Sequence, residues 1–252
     1  MKQYNDPTFL REQYVDMRMT SPEIAAGIGC SDVTVRLKLH EFGIPIRDKH
    51  HRLRGNDLIV NDVLLEYLDG SLLGDGCLAA KTPVSARYQI GQKHLSYLLW
   101  VSRCLSEKGV QQAGKIRRYT SSWGSWYAYA SKAYRGLRVE YDRWYPGGIK
   151  HVPSDVRLTP LSARTWFLED GNLSPDKRRD NANTVTLCTE CFTDAGIQVL
   201  LLGLQKRLET ERVYVNGRRR IAFSSAQAIK AFFNYILPVP DKLSAEYGYK
   251  YI

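Results

Sequence analysis

The sequence predicts an α+β fold: a helix-strand-strand-helix-strand-strand-helix unit (αββαββα) that occurs twice, behind a small all-α segment. Three observations carry this. Two apolar helical stretches, residues 68–76 (LDGSLLGDG) and 163–171 (ARTWFLEDG), each end in an acidic residue followed by glycine, and the two aspartates, Asp75 and Asp170, lie 95 positions apart. The same order of strand-like and helix-like runs follows each stretch, and self-similarity at fixed spacing is the mark of a duplicated unit. The first 47 residues instead carry short capped helices around a glycine-bearing turn. The expected organisation is 1–47, a linker at 48–60, a first repeat at 61–156 and a second at 157–252.

In the front segment, residues 7–17 read as one helix. Ser21 is the expected N-cap of a second, with Pro22 at its first helical position. This helix passes through Ile24, Ala25 and Ala26 to a turn at 27–30. Ser31 then caps a third helix over 32–42, with Val33, Val35, Leu37 and Leu39 near its apolar side and Gly43 at its end. This spacing is that of a helix-turn-helix. If the segment contacts DNA rather than forming a plain three-helix bundle, Ser31, Thr34, Arg36 and Lys38 face the groove or its phosphates. Residues 48–60 are polar; His50-His51 has no Cys or Asp at ligand spacing on both sides and belongs to the linker.

Within the repeats, 85–92 alternates like a strand and 94–108 follows as a helix; 183–189 and 193–208 are their counterparts. Two further strands come next in each copy, at 115–119 and 125–130 and at 212–215 and 219–223. Closing helices are expected at 134–145 and 227–236, and Asn216-Gly217 marks a hairpin turn.

The Asp-Gly endings have a chemical logic. Glycine permits a left-handed helix cap, so each carboxylate is delivered at the negative pole of its helix, a place that favours a nearby cation. Two such ends side by side suit a hard divalent metal such as magnesium. Gly70 and Gly74, four apart on one helix face, let a second helix approach closely. Asp75 and Asp170 are the only pair that the duplication brings together; buried unpaired carboxylates are too costly to be mere core, which leaves metal binding or a purely structural ion pair. Carboxylates holding divalent metals neutralise a phosphodiester and stabilise its leaving oxygen. Glu169 reads either as a helper to the pair or as a helix cap. Cys188 and Cys191 lack the further pair that a zinc site needs and read as strand-end residues.

Charge names the partner class. The formal net charge is +10; residues 1–60 hold 9 Lys/Arg against 8 Asp/Glu, whereas 61–252 hold 27 against 18. Basic excess on the duplicated body attracts polyanions. No apolar run nears the ~18 residues of a membrane span and the first residues do not resemble a signal peptide, so no membrane is expected. Five cysteines at irregular positions suggest reduced thiols and an intracellular protein, located wherever its target DNA resides. No acidic residue lies between Glu107 and Glu140, a window that holds Lys115, Arg117, Arg118, Lys132, Arg135 and Arg138 among Tyr119, Trp123, Trp126, Tyr127 and Tyr129. A two-stranded ribbon presenting Arg, Gln, Thr and Tyr fits the DNA major groove. Arg87, Gln89, Lys115, Arg117, Arg118 and Tyr119 are the candidates in the first copy. Thr184, Thr186, Arg212, Tyr214, Arg218, Arg219 and Arg220 are those in the second.

Both motif stretches resemble the signature of LAGLIDADG homing endonucleases in the single-chain form that carries two copies. The first copy is close to that signature. The second is divergent, although Trp166-Phe167-Leu168-Glu169-Asp170-Gly171 and the preceding Leu158-Thr159-Pro160-Leu161 are similar to the usual second copy. The resemblance spans residues ~62–245. It implies two curved antiparallel sheets that bind double-stranded DNA, motif helices packed about a pseudo-twofold axis, and two or three magnesium ions at the motif interface. It also implies peripheral catalytic groups. Lys150, in Lys150-His151-Val152-Pro153, looks like the family's basic residue, with Lys242 as its second-copy counterpart and Lys250 as a rival. Gln92 resembles a solvent-positioning residue whose counterpart here is Thr189. The expected protein is a monomeric, site-specific DNA endonuclease encoded in an intron or similar mobile element. Two other classes stay open: a maturase that binds intron RNA, and a DNA-binding regulator without catalysis.

Overall fold

Local capping builds the front of the molecule. Asp6 accepts hydrogen bonds from the backbone N–H groups of Thr8 (2.8 Å) and Phe9 (3.3 Å), which starts helix α1 (Pro7–Arg11), and a wider π-type turn continues it over Glu12–Asp16. The N-cap of α2 (Ser21–Ile28) is Thr20, one residue before the expected Ser21. Thr20 and Glu23 form a reciprocal capping box that satisfies two donors, and Ser21 becomes the first helical residue. Gly29, at φ +67°, ends α2. Ser31 caps α3 (Asp32–Glu41) as expected, accepting from the Thr34 N–H at 3.1 Å. The apolar side of α3 is narrower than expected. Val35 and Leu39 join Leu10, Tyr14, Ile24, Ala25 and Ile44 in a core, while Val33 and Leu37 are exposed. Residues two apart on a helix point to nearly opposite sides, so the 33-35-37-39 alternation cannot share one face.

The structure, a computed structural model, describes residues 2–17, 19–46, 56–122, 124–175 and 183–251. Residues 47–55, which include His50 and His51 of the expected linker, and Trp123 lie outside the described residues. Two units are distinct, Met1–Leu53 and Arg54–Ile252.

In the second unit the duplicated order appears in full. The first copy runs α4 (Asp62–Leu73), β1 (Gly76–Thr82), β2 (Ser85–Gln92), α5 (Leu95–Glu107), β3 (Arg117–Ser121), β4 (Gly124–Ala130) and α6 (Arg135–Trp144). The second runs α7 (Pro160–Asp170), β5 (Gly171–Pro175), β6 (Asn183–Leu187), α8 (Asp194–Leu208), β7 (Val213–Val215), β8 (Ile221–Phe223) and α9 (Ala226–Tyr235). Each copy forms a four-stranded antiparallel sheet, in the orders β1-β2-β4-β3 and β5-β6-β8-β7. The inner faces of both sheets meet the helices in one core, with Tyr88, Ile90 and Tyr129 from the first sheet and Val185, Leu187 and Phe223 from the second. A short helix, α10 (Ser244–Tyr247), and a turn over Gly248–Lys250 follow α9.

The motif helices α4 and α7 pack directly on each other. A Cβ at Gly70 would stand 2.3 Å from the Ser162 carbonyl oxygen and one at Gly74 would stand 2.7 Å from Glu169 Cβ; both glycines are needed for contact, as the four-residue spacing implies. The glycines after the aspartates do something other than expected. Gly171 is extended (φ −91°, ψ 155°) and Gly76 opens β1, so neither forms a left-handed cap. The chain passes from helix into strand directly at Gly171 and through the two-residue turn Gly74-Asp75 in the first copy, and glycine is needed for room: a Cβ at Gly76 would lie 2.3 Å from Ser71 Oγ, and one at Gly171 2.5 Å from the Phe167 carbonyl oxygen.

The described end of the expected linker is docked on the first copy. Asn56 bonds the Ala133 carbonyl (3.0 Å), Leu58 and Val60 join the core, and a Cβ at Gly136 on α6 would meet Val60 Cγ2 at 2.5 Å.

Candidate metal and nucleic-acid site

Asp75 and Asp170 come off the C-terminal ends of the packed motif helices, and the Asp75 carboxyl senses the charge of Asp170. The Asp75 carboxyl is pushed up to about 6, first by burial and then by the facing Asp170; a hydrogen bond from Gln92 and the charges of Lys250 and Lys150 oppose the rise. Burial also raises Asp170, and Lys150 and Lys250 pull it back. These are two carboxylates short of cations, with two lysines beside them. Lys150 donates to the Gly76 carbonyl at 3.0 Å, and Lys250 to the carbonyls of Leu168 (2.8 Å) and Phe167 (3.3 Å), where the helix dipole is negative. Burial lowers both lysines.

Lys250, rather than Lys242, therefore stands opposite Lys150. Lys242 lies exposed in a 3₁₀ turn, Asp241–Leu243, whereas Lys250 is 7% exposed. The turn after α10 brings it back under α7, and spacing from Pro240 alone could not reveal that return.

The two half-sites differ beyond their aspartates. Gln92 donates from Nε2 to Asp75 Oδ2. Its register equivalent Thr189 is buried and donates to the Arg219 carbonyl. In its place Asp170 has the Glu190–Arg220 ion pair nearby: the Glu190 charge pushes the Asp170 carboxyl up and Arg220 pulls it down. Glu190 was not anticipated, since nothing in a lone acidic residue after a strand distinguishes it. Glu169 points inward rather than toward the pair. It is buried among Ser71, Tyr97 and the Asp75 N–H, and burial, followed by the Asp75 charge, pushes its carboxyl well above the ordinary range. The thiols of Cys188 and Cys191 are free, and no group of three or more His, Cys, Asp or Glu among the described residues is arranged to hold a metal by itself.

A second buried carboxylate, Asp69 on α4, was also not anticipated. It is fully buried and accepts from Arg143 (2.7 and 3.2 Å), Trp144 Nε1 (3.0 Å) and the Arg157 N–H (2.9 Å). This network fastens α6 and the segment joining the repeats to the first motif helix.

On the outer face of the first sheet, Gln89 and Gly91 of β2 pair with Ala130 and Ala128 of β4, and Ala128 and Trp126 of β4 pair with Arg117 and Tyr119 of β3; Arg87, two residues before Gln89, shares this face. Arg118 lies on the opposite face, since neighbours on a strand alternate; its guanidinium donates to Ser125 Oγ at 3.2 Å. Lys115 precedes β3 and is exposed. Tyr119 stacks on Trp126 with ring centroids 5.7 Å apart, which puts Trp126 on the outer face, and Tyr129 is core. In the second sheet Thr184, Thr186 and Tyr214 share the outer face with Asn172. The hairpin turn is longer than an Asn-Gly pair. Asn216 is its first residue, its side chain accepts from the Arg218 and Arg220 N–H groups, and Arg219 adopts φ +61°. Arg218 and Arg212 are exposed, whereas Arg219 pairs with Asp194 and Arg220 with Glu190. In the first unit Arg36 bonds Ser21 Oγ and Asp32, Lys38 pairs with Glu41, and Ser31 and Thr34 bond each other.

Two motif helices packed on each other, each leading into a four-stranded antiparallel sheet by way of an aspartate, make the two-motif LAGLIDADG architecture. Residues 65–231 match the model of the LAGLIDADG DNA endonuclease family, and the chain belongs to that family. It is 26% identical to the uncharacterized protein MJ1098 of Methanocaldococcus jannaschii, over 90% of this chain and 89% of that protein. Among solved structures it is similar to the homing endonuclease I-WcaI bound to its DNA recognition sequence, with a TM-score of 0.63, 17% identity, and coverage of 84% of this chain and 96% of that one. Another similar structure is I-DmoI in complex with DNA and Mn, with a TM-score of 0.41, 17% identity, and coverage of 70% and 97%. No helix among the described residues is long and apolar enough to cross a membrane.

Proposed function

We propose that the chain is a monomeric, site-specific DNA endonuclease of the homing type that hydrolyses one phosphodiester in each strand of a long duplex site. The observation that carries this reading is the facing pair Asp75 and Asp170, flanked by Lys150 and Lys250.

The donor set fits magnesium. Magnesium keeps several waters and binds through one or two carboxylates plus substrate phosphates rather than through an all-protein cage, and this site offers two carboxylates, with no group of three or more His, Cys, Asp or Glu among the described residues. When bound, such ions would neutralise the scissile phosphates and assist in activating water. Asp75 and Asp170 would hold them. Gln92, hydrogen-bonded to Asp75, would orient solvent in the first half-site. Lys150 and Lys250 are anchored to backbone carbonyls and would set positive charge beside the phosphates in a fixed geometry, so that no reorganisation is needed as charge develops. Arg87, Gln89, Arg117 and Tyr119, with Thr184, Thr186 and Tyr214, would face base edges. Lys115, Arg118, Arg212 and Arg218 would meet phosphates. The first unit would lengthen the footprint through Arg36 and Lys38 at the phosphates and Ser31 and Thr34 at the groove.

The test is incubation of the chain with a randomised duplex library and magnesium, followed by sequencing of the cut ends. Discrete cuts at one long site are expected, lost in Asp75→Asn and in Asp170→Asn while binding survives. Enrichment of a bound sequence without cuts would make the chain a regulator of the same fold. Selective retention of intron RNA alone would make it a maturase.

A further inference from the structure

The motifs differ at the residue before each aspartate: Gly74 follows the last residue of α4, whereas Glu169 lies within α7. The notch left by Gly74 is filled from across the interface, since a Cβ there would lie 2.7 Å from both Cβ and Oε2 of Glu169. Glu169 is buried and has no ion-pair partner among the described residues. Its carboxylate is satisfied by neutral donors instead. Ser71 Oγ lies 2.8 Å from Oε1 and 3.0 Å from Oε2, Tyr97 Oη 2.8 Å from Oε1, and the Asp75 N–H donates to Oε2 at 2.9 Å. All three donor residues belong to the first repeat. Asp75 sits between the last residue of α4 and the first of β1, where neither helix nor strand ladder supplies an acceptor for its N–H, and a backbone donor inside a protein requires one.

We propose that Glu169 is a positioning residue for Asp75: the second repeat's motif fixes the main chain that carries the first repeat's carboxylate, and no reciprocal contact exists because Gly74 has no side chain. Under the nuclease reading, on which this consequence rests, the strand cut that depends most on Asp75 depends also on Glu169.

The role asks for an acceptor oxygen, not a charge. In Glu169→Gln the amide oxygen can still take the Asp75 N–H while its NH₂ donates to Ser71 and Tyr97, whose hydroxyls turn to accept. Glu169→Leu fills the volume and offers no acceptor. The test compares Mn²⁺ affinity of the full chain, read by electron paramagnetic resonance, with single-turnover nicking of each strand of the selected duplex. Glu169→Gln should bind Mn²⁺ like wild type. Glu169→Leu should bind it roughly 10–100-fold more weakly, the usual loss when a group that orients a ligand is removed. It should also slow chiefly the strand that Asp75→Asn slows most. Wild-type Mn²⁺ affinity in Glu169→Leu overturns the proposal. So does equal slowing of both strands, or a Gln variant as impaired as the Leu variant. Should Glu169→Leu fail to fold, Tyr97→Phe, which frees one side of the carboxylate, must weaken Mn²⁺ binding in the same direction, and unchanged affinity there overturns it. A wild type that cuts nothing, with Mn²⁺ affinity still lost in Glu169→Leu, refutes the nuclease reading and sustains the positioning role.

Discussion

Gly70→Ala probes the contact on which the acidic pair depends. The added methyl would lie 2.3 Å from the Ser162 carbonyl oxygen, 2.7 Å from its Cα and 2.9 Å from its carbonyl carbon. All three are backbone atoms of the facing helix, so no side chain can rotate aside. Interiors packed to crystal density cannot absorb such an overlap locally, and α4 and α7 must separate by about 1 Å. Overpacking of this kind costs about 3 kcal/mol, and alanine returns about 1 kcal/mol through its higher helix propensity. The net of roughly 2 kcal/mol corresponds to a fall in Tm of about 4–8 °C for a unit of this size. The separation also displaces Asp75 from Asp170, and an error of this size costs about a hundredfold in rate. Differential scanning calorimetry and single-turnover cleavage measure both effects. Gly217→Ala is the control: no atom lies within 4 Å of its added Cβ, and it should stay within about 0.5 kcal/mol. An unchanged or raised Tm in Gly70→Ala would refute the close-packing argument.

Three further outcomes are expected. Arg143→Met removes the bidentate partner of the fully buried Asp69 and should cost about 3–5 kcal/mol in urea unfolding, with much of the loss recovered by adding Asp69→Asn; an unaltered midpoint would show that Arg157 alone suffices. Glu140 lies beside Arg143, yet burial raises its carboxyl above the ordinary value. A folded-state pKa above the unfolded one gives stability that is present below the unfolded value, about 4.3, and lost as pH rises through the folded one. Glu140→Gln should therefore stabilise the protein at pH 7 and gain nothing relative to wild type at pH 3.5, and an equal effect at both pH values would remove the linkage. Finally, Arg118→Ala should reduce the salt dependence of DNA affinity by about one counterion without altering base preference, whereas Arg117→Ala, on the outer face, should relax preference at one position. Identical behaviour of the two would contradict the strand register.

Much of the fold was legible because periodicity and turn chemistry act locally. The run from Ser85 to Gln92 alternates and is a strand over that span, and Ser31 caps the helix that follows it. The duplicated motif also placed Asp75 and Asp170 together, because two copies of one unit must bury the same helix face and Gly70 and Gly74 admit only another helix there. What sequence determined was therefore the elements, their repetition and the acidic pair.

Only the tertiary structure decided which groups surround that pair. Lys250 replaced Lys242 because a turn after the last helix returns the chain beneath α7, a path that no local spacing encodes. Helix geometry divides Val33 and Leu37 from Val35 and Leu39, and only packing against α1 and α2 decided that the second pair enters the core. Strand alternation puts Arg117 and Arg118 on opposite faces, and only the pairing with β4 decided that Arg117 shares the face of Gln89. Glu169 turned inward because Gly74, ninety-five positions earlier in the chain, left it a notch, and Glu190 reached Asp170 only through the sheet. Contacts between residues far apart in sequence are set by the packing of whole elements, and that packing gives two similar motifs unequal surroundings.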